Sequence, residues 1–130
     1  MQSIHHVLTA AVIALSFVCG SGAARAEDKA AANACTVTTT RTACAGKEAE
    51  SYKKCDGQKS CSKDVEAASA DACIAAATAS CSNDRLEITK SKTITAKWKG
   101  QALKTKSGKE DVCLEYAKRA AEFDKCPAGK

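Results

Sequence analysis

Six cysteines between positions 35 and 81 constrain this chain more than any other feature of its sequence. Paired from the outside inward, they form three pairs that are centred within half a position of residue 58. The pairs are Cys35–Cys81, Cys44–Cys73 and Cys55–Cys61. Nested pairs with one centre predict two antiparallel segments joined near residue 58, and the run Asp56–Ser60 has the composition of a turn.

Helical patterns on both sides of this turn predict a helical hairpin over residues 27–84. Cys44 and Cys55 are eleven residues apart, so they return to nearly the same side of a helix over residues 43–54. The second helix is predicted over residues 63–80, because eight of the thirteen residues from 67 to 79 are alanine, the strongest helix former. We expect the nested disulfides to staple these two helices together.

The outer cysteines leave several pairings open. Residues 36–42 are β-branched at six of seven positions, which favours an extended chain of about 3.3 Å per residue over a helix of about 1.5 Å. The extended segment from Cys35 to Cys44 is therefore longer than the helical segment from Cys73 to Cys81, so Cys35 reaches Cys81 only if the first segment bends. Cys113 and Cys126 lie about 220° apart on a helix, so they bridge each other only if Cys126 lies beyond the helix end, and otherwise tie it to Cys35 and Cys81.

The first 26 residues have the pattern of a cleaved export signal. A 13-residue apolar run ends at Cys19 and is short for a membrane span. Ala24-Arg25-Ala26 follows as a small-x-small cleavage site. We expect cleavage after Ala26, which leaves residues 27–130 as one domain without a membrane span, exported to a periplasm or secreted.

In this domain, disulfide bonds must supply much of the stability that a larger hydrophobic core would otherwise provide. Residues 27–130 contain only ten Leu, Ile, Val and Phe residues but eight of the nine cysteines. An even number of cysteines in a short exported chain is typical of disulfides. Four bridges would each contribute about 2–4 kcal/mol to the free energy of unfolding. The sequence thus predicts a cysteine-rich domain that unfolds on reduction.

The second half of the chain combines a basic β-ribbon with a C-terminal helix. Residues 85–107 alternate apolar and polar side chains, which predicts short strands at 85–89, 93–99 and 102–106, or one bent strand in place of the first two. Ser107 and Glu110 have the spacing of a capping box and open a helix over residues 108–125. The predicted fold class is therefore α+β, mostly α.

Positive charge is the one sequence feature that indicates a function. Residues 85–109 contain eight basic residues and one acidic residue, a net charge of +7. We expect this ribbon to contact an anionic envelope component or an acidic protein. The alternative is that the lysines only keep the protein in solution and prevent the sheet edge from pairing with other strands. The predicted surface consists of Lys90, Lys92, Lys97, Trp98, Lys99, Lys104 and Lys106.

Other function classes fit this sequence less well. Residues 27–130 contain no histidine and no Cys-x-x-Cys, so we expect no enzyme activity, no cofactor and no metal site. Nucleic acid is not the expected partner, because the patch is almost all lysine and lacks the forked contacts of arginine. A second hypothesis is an accessory subunit or inhibitor-like module that uses the rigid helical hairpin as its contact surface.

Overall fold

A computed structural model describes residues 34–128, which form an antiparallel sheet covered on one face by a helix. The strand order is β2-β1-β3-β4. In chain order the elements are β1 (Cys35–Ala43), α1 (Glu48–Ser51), a 3-10 helix (Lys53–Cys55), β2 (Ser60–Val65), α2 (Ala70–Ala79), β3 (Thr89–Trp98), β4 (Gln101–Ala102), a second 3-10 helix (Val112–Glu115) and α3 (Arg119–Glu122).

Strand β1 is the centre of the sheet, since it pairs with β2 on one side and with β3 on the other. Its β-branched side chains suit a pleated strand, as the sequence predicted for residues 36–42. Its alternate residues Cys35, Val37 and Thr39 are buried under α2 and the C-terminal segment, and the threonines between them lie on the open face. This alternation is typical of an antiparallel sheet with one covered face.

Hydroxyl groups on the open face fix the register of β2 against β1. Three threonines of β1 contact three polar side chains of β2 at 2.7–2.9 Å. The pairs are Thr36 with Asp64, Thr38 with Ser62, and Thr40 with Ser60. Opposed hydroxyl pairs of this kind stabilise a sheet. They explain why residues 60–65, which have no strong strand pattern of their own, form a strand.

Helix α2 begins at the first good N-cap after this strand. The Ser69 side chain accepts a hydrogen bond from the Ala72 amide at 3.1 Å, which satisfies one of the open amides of the first turn. Cys73 and Ala77 form the buried face of the helix. Their small size lets the helix approach the sheet closely, and Cys73 is bonded to Cys35 of β1.

Four disulfides join all eight cysteines of the described residues, with Cα atoms 5.4–5.5 Å apart. The pairs are Cys35–Cys73, Cys44–Cys126, Cys55–Cys61 and Cys81–Cys113. Four of these cysteines belong to the ten-residue core cluster, beside Val37, Ile94 and Val112. The prediction of a cysteine-rich, disulfide-bonded chain is confirmed, and such density is typical of an oxidising, exported environment.

The predicted helical hairpin, and with it the mostly helical fold class, is wrong. Strand β1 extends to Ala43, and only α1 and a 3-10 helix remain of the helix expected over residues 43–54. The expected helix over residues 63–80 starts only at Ala70, because residues 60–65 pair with β1. The contact surface of the accessory-subunit hypothesis therefore does not exist in this fold.

Of the nested disulfides, the innermost pair Cys55–Cys61 is confirmed and Cys44–Cys73 is wrong, whereas the partners of Cys35 and Cys81 were left open by the sequence. Cys55–Cys61 closes the turn that contains Asp56 and Gly57, both with positive φ. Cys35 is bonded to Cys73 in place of Cys81, because β1 is a strand that lies beneath α2. Nested pairing assumes two antiparallel helices, whereas Cys35 lies on a strand and Cys73 on a helix.

The C-terminal half shows corrections of the same kind. Residues 89–98 form a single strand, which is the alternative that the sequence left open in place of two strands, and β4 has only two residues. The helix expected over residues 108–125 is broken into a 3-10 helix and α3. Disulfides hold the two ends of this segment at different parts of the fold, because Cys113 is bonded to Cys81 and Cys126 is bonded to Cys44.

The predicted signal peptide, residues 1–26, lies outside the described residues and stays a prediction. Within residues 34–128, no helix has the length and apolar character needed to cross a bilayer.

Candidate anion-binding surface

Strand β3 divides the predicted basic surface between the two faces of the sheet. Successive side chains of a strand point to opposite faces. Ile94 and Ala96 are buried against the core, so Lys92 and Trp98 share that face, while Lys97 lies on the open face with the threonines. The seven predicted residues therefore do not form one continuous surface.

Lys92 has a structural role. Its ammonium group donates hydrogen bonds to the backbone carbonyl oxygens of Ser80 at 2.9 Å and Ser82 at 2.5 Å. These carbonyls follow the C-terminal end of α2, where the helix dipole favours a cation. Burial lowers the pKa of Lys92, and the nearby Arg41 lowers it further. The ammonium is thus held inside the fold and is not part of the exposed patch.

Lys90 also makes structural contacts, in this case with Asp124. Its ammonium lies 3.9 Å from a carboxylate oxygen of Asp124, and its carbonyl oxygen accepts a hydrogen bond from the Asp124 amide at 2.8 Å. Both side chains are exposed, so the ion pair itself contributes little. Together these contacts fasten the C-terminal segment to the start of β3.

Four lysines of the predicted surface remain exposed in the segment that contains the β3–β4 turn, residues 97–106. We call Lys97, Lys99, Lys104 and Lys106 the hairpin lysines. Among residues 34–128, three pairs of basic and acidic side chains approach within 4.0 Å, and none includes a hairpin lysine. Their charge is therefore open to an outside partner.

The turn itself places Lys99 beside the single tryptophan. Lys99 and Gly100 both have positive φ, at 49° and 81°, which is typical of a two-residue type I′ turn. The Lys99 ammonium lies 5.8 Å from the centroid of the Trp98 ring, within the range of a cation–π contact. Trp98 is half-buried and packs against the core. Trp98 thus anchors the hairpin to the core.

Lys104 and Lys106 border a cleft of about 670 Å³ between α2 and the segment that follows β4. Ile74 and Val112 supply apolar lining. Two carboxylates, Asp71 and Glu115, also line this cleft. Glu115 accepts hydrogen bonds from the backbone amide and the hydroxyl of Ser107. These contacts lower the pKa of Glu115 below its usual value. The Glu115 carboxylate is thus engaged by its own loop, and the charge of Lys106 also lowers its pKa. Neither Lys104 nor Lys106 lies within 4.0 Å of a carboxylate oxygen of residues 34–128.

The structure also brings together cations that the sequence analysis did not include. Arg41 lies opposite Lys92 in the β1–β3 register, and it shares a second cleft with Lys54 and Lys63. Residues 43–54 and 63–80 were expected to be helical, so neither lysine belonged to the predicted surface. The one available signal was Arg41 itself, the single charged residue in a run of threonines.

Comparisons with protein-family models, with curated proteins and with solved structures find no match to this chain. Within the described residues, no group of three or more His, Cys, Asp or Glu side chains is arranged to hold a metal ion.

Proposed function

We propose that this protein is a small exported binding module, periplasmic or secreted, that docks on an anionic surface through the hairpin lysines. The observation that carries the proposal is four exposed lysines within the ten residues 97–106, none of them ion-paired with another described residue. The contact is electrostatic in kind, and it requires no catalytic group.

Rigidity supports this proposal. Trp98 packs against the core, and the Lys99 amide donates a hydrogen bond to the Ala34 carbonyl oxygen at 2.8 Å. The adjacent Cys35–Cys73 disulfide fixes the end of β1 to α2. A pre-organised set of charges loses less conformational entropy on binding than a flexible tail of the same charge.

The test compares two variants with the same net charge. The hairpin variant carries Lys97→Gln, Lys99→Asn, Lys104→Gln and Lys106→Gln; asparagine tolerates the left-handed backbone of the turn. The control variant removes four exposed lysines elsewhere, Lys53, Lys59, Lys118 and Lys125. Each is sedimented with vesicles that contain phosphatidylglycerol, and with phosphatidylcholine vesicles as blank.

Each lysine near an anionic membrane contributes about 1 kcal/mol to binding, so the hairpin variant should bind about a thousandfold more weakly. The binding free energy of the control variant should change by less than a tenth of the change in the hairpin variant. Equal weakening of the two variants would show that only net charge matters, and would contradict a defined surface. Wild-type binding that survives high salt would contradict the electrostatic mechanism.

A further inference from the structure

A second group of cations lies at the opposite end of the sheet, about 20 Å along the strands from the hairpin turn. Arg41 of β1 faces Lys92 of β3, and both side chains are half-buried. Arg85 acts electrostatically on Arg41, and Lys54 acts on Lys92. We call the group of Arg41, Lys54, Lys63, Arg85 and Lys92 the Arg41 corner.

The Arg41 corner has no direct neutralising partner in the described part of the chain. None of its members lies within 4.0 Å of a carboxylate of residues 34–128. Asp84 attracts both Arg41 and Lys92 from further away. Glu122 also attracts Lys92, but its carboxylate accepts hydrogen bonds from the Asn83 amide and the Tyr116 hydroxyl.

Half-buried like charges repel one another and lose solvation. Consistent with this, burial lowers the pKa of Arg41, Arg85 lowers it further, and Asp84 opposes the change. A bound anion would relieve the repulsion.

The cleft beside Arg41 has the shape and the donors for such an anion. Its volume is about 500 Å³, and its lining includes three cations, Arg41, Lys54 and Lys63, with the Thr39 hydroxyl and one carboxylate, Asp56. The Arg41 guanidinium donates one hydrogen bond to Cys55 Sγ at 3.0 Å. A guanidinium has five N–H donors, so this contact holds the group in place and leaves the others for a ligand.

We propose that this cleft binds a tetrahedral oxyanion of the phosphate type. The Arg41 fork matches two oxygens of such a group, Lys54 and Lys63 supply further positive charge, and Thr39 contributes a hydroxyl to the lining. The source of the group is either free phosphate or a phosphate monoester on a lipid head group. This site is independent of the hairpin lysines in position and in residues.

The oxidised, full chain is titrated with inorganic phosphate, with sulfate and with chloride at matched ionic strength. Binding is measured by the shift of the Arg41 side-chain resonance in NMR and by the change in the thermal unfolding temperature. A parallel arm uses short-chain phosphatidic acid against phosphatidylcholine of the same chain length. The test variant is Lys54→Gln/Lys63→Gln, because both lysines are exposed and their loss does not disturb packing. The matched control is Lys53→Gln/Lys59→Gln.

Saturable binding of phosphate and sulfate but not chloride, weakened about tenfold or more in the test variant and unchanged in the control, supports a site for the free ion. Binding of phosphatidic acid alone, with the same dependence on Lys54 and Lys63, supports a head-group site. An equal response to phosphate and chloride, or equal affinity in test and control variants, overturns the proposal. The hairpin variant should retain the binding, which separates this result from that of the proposed function.

Discussion

The ammonium group of Lys92 donates a hydrogen bond to the backbone carbonyl oxygen of Ser80, 2.9 Å away. Ser80 is the C-cap of α2, so a positive charge near the start of β3 caps the C-terminal end of this helix. The contact joins β3 to α2 at the end away from the Cys35–Cys73 disulfide. Helix and sheet are therefore fixed to each other at both ends of α2.

Replacement of Lys92 by methionine tests this contact. The variant keeps the apolar part of the side chain and loses the bonds to two carbonyl oxygens, so the free energy of unfolding should fall by about 1–2 kcal/mol. Lys90→Met is the matched control, since Lys90 is exposed and should change the stability by less than about 0.5 kcal/mol. Urea titration followed by circular dichroism measures both, and equal stabilities would refute the capping role.

The four disulfides should contribute unequally to stability. Cys44 and Cys126 are 82 residues apart in sequence, whereas Cys55 and Cys61 are 6 apart. Loop-closure entropy gives about 4.5 kcal/mol for the long loop and about 2.4 kcal/mol for the short one. Paired alanine substitutions, each compared with wild type by denaturant titration, should reproduce this order. A larger loss on removal of the short bridge would contradict it.

A buried hydroxyl pair fastens α1 to the sheet. The Ser51 and Thr89 hydroxyl oxygens lie 2.8 Å apart, and both residues are buried. Ser51→Ala should lower the free energy of unfolding by about 1–3 kcal/mol, because the Thr89 hydroxyl loses its partner in the interior. The double variant Ser51→Ala/Thr89→Val leaves no hydroxyl unpaired, so it should cost less than the sum of the single changes. Strict additivity in the double-mutant cycle would argue against the pair.

The loop after β4 should lose order in acid. Hydrogen bonds from Ser107, followed by one from Thr105, lower the pKa of Glu115 in the folded chain below its usual 4.5. A depressed carboxyl pKa stabilises the fold above the unfolded pKa, and this contribution is lost as the pH falls through the folded pKa. NMR titration of the Glu115 carboxyl should show a midpoint below 4.5, and Ser107→Ala should raise it. A midpoint that does not change in that variant would exclude the hydroxyl as the cause.

Local sequence preference predicted those elements in which nearly all residues favour the same secondary structure. The threonine-rich segment of β1, the alanine-rich helix α2 and the turn closed by Cys55 and Cys61 were all indicated in this way. Strand β2 was missed because its strand character comes from pairing with β1, as in the contact of Thr38 with Ser62. The C-terminal helix was overestimated because its spacing suits a helix while its cysteines are bonded to distant elements.

The basic surface was predicted only in part, for the same physical reason. Composition identified the lysines, but strand alternation decides which face each one occupies, and this requires the register. Lys92 and Lys97 illustrate the point, since the first lies on the core side of β3 and the second on the open side. Arg41 could not be placed beside Lys92 from sequence, because 51 residues separate them.

The arrangement of the disulfides is the central claim, since it fixes β1 against α2 and defines both cationic sites. Protease digestion of the unreduced protein at a pH that prevents disulfide exchange, followed by mass spectrometry of the linked peptides, tests it most directly. We expect four linkages, Cys35–Cys73, Cys44–Cys126, Cys55–Cys61 and Cys81–Cys113, and no free thiol in residues 34–128. Recovery of peptides linked as Cys35–Cys81 and Cys44–Cys73, or of these cysteines as free thiols, would contradict it.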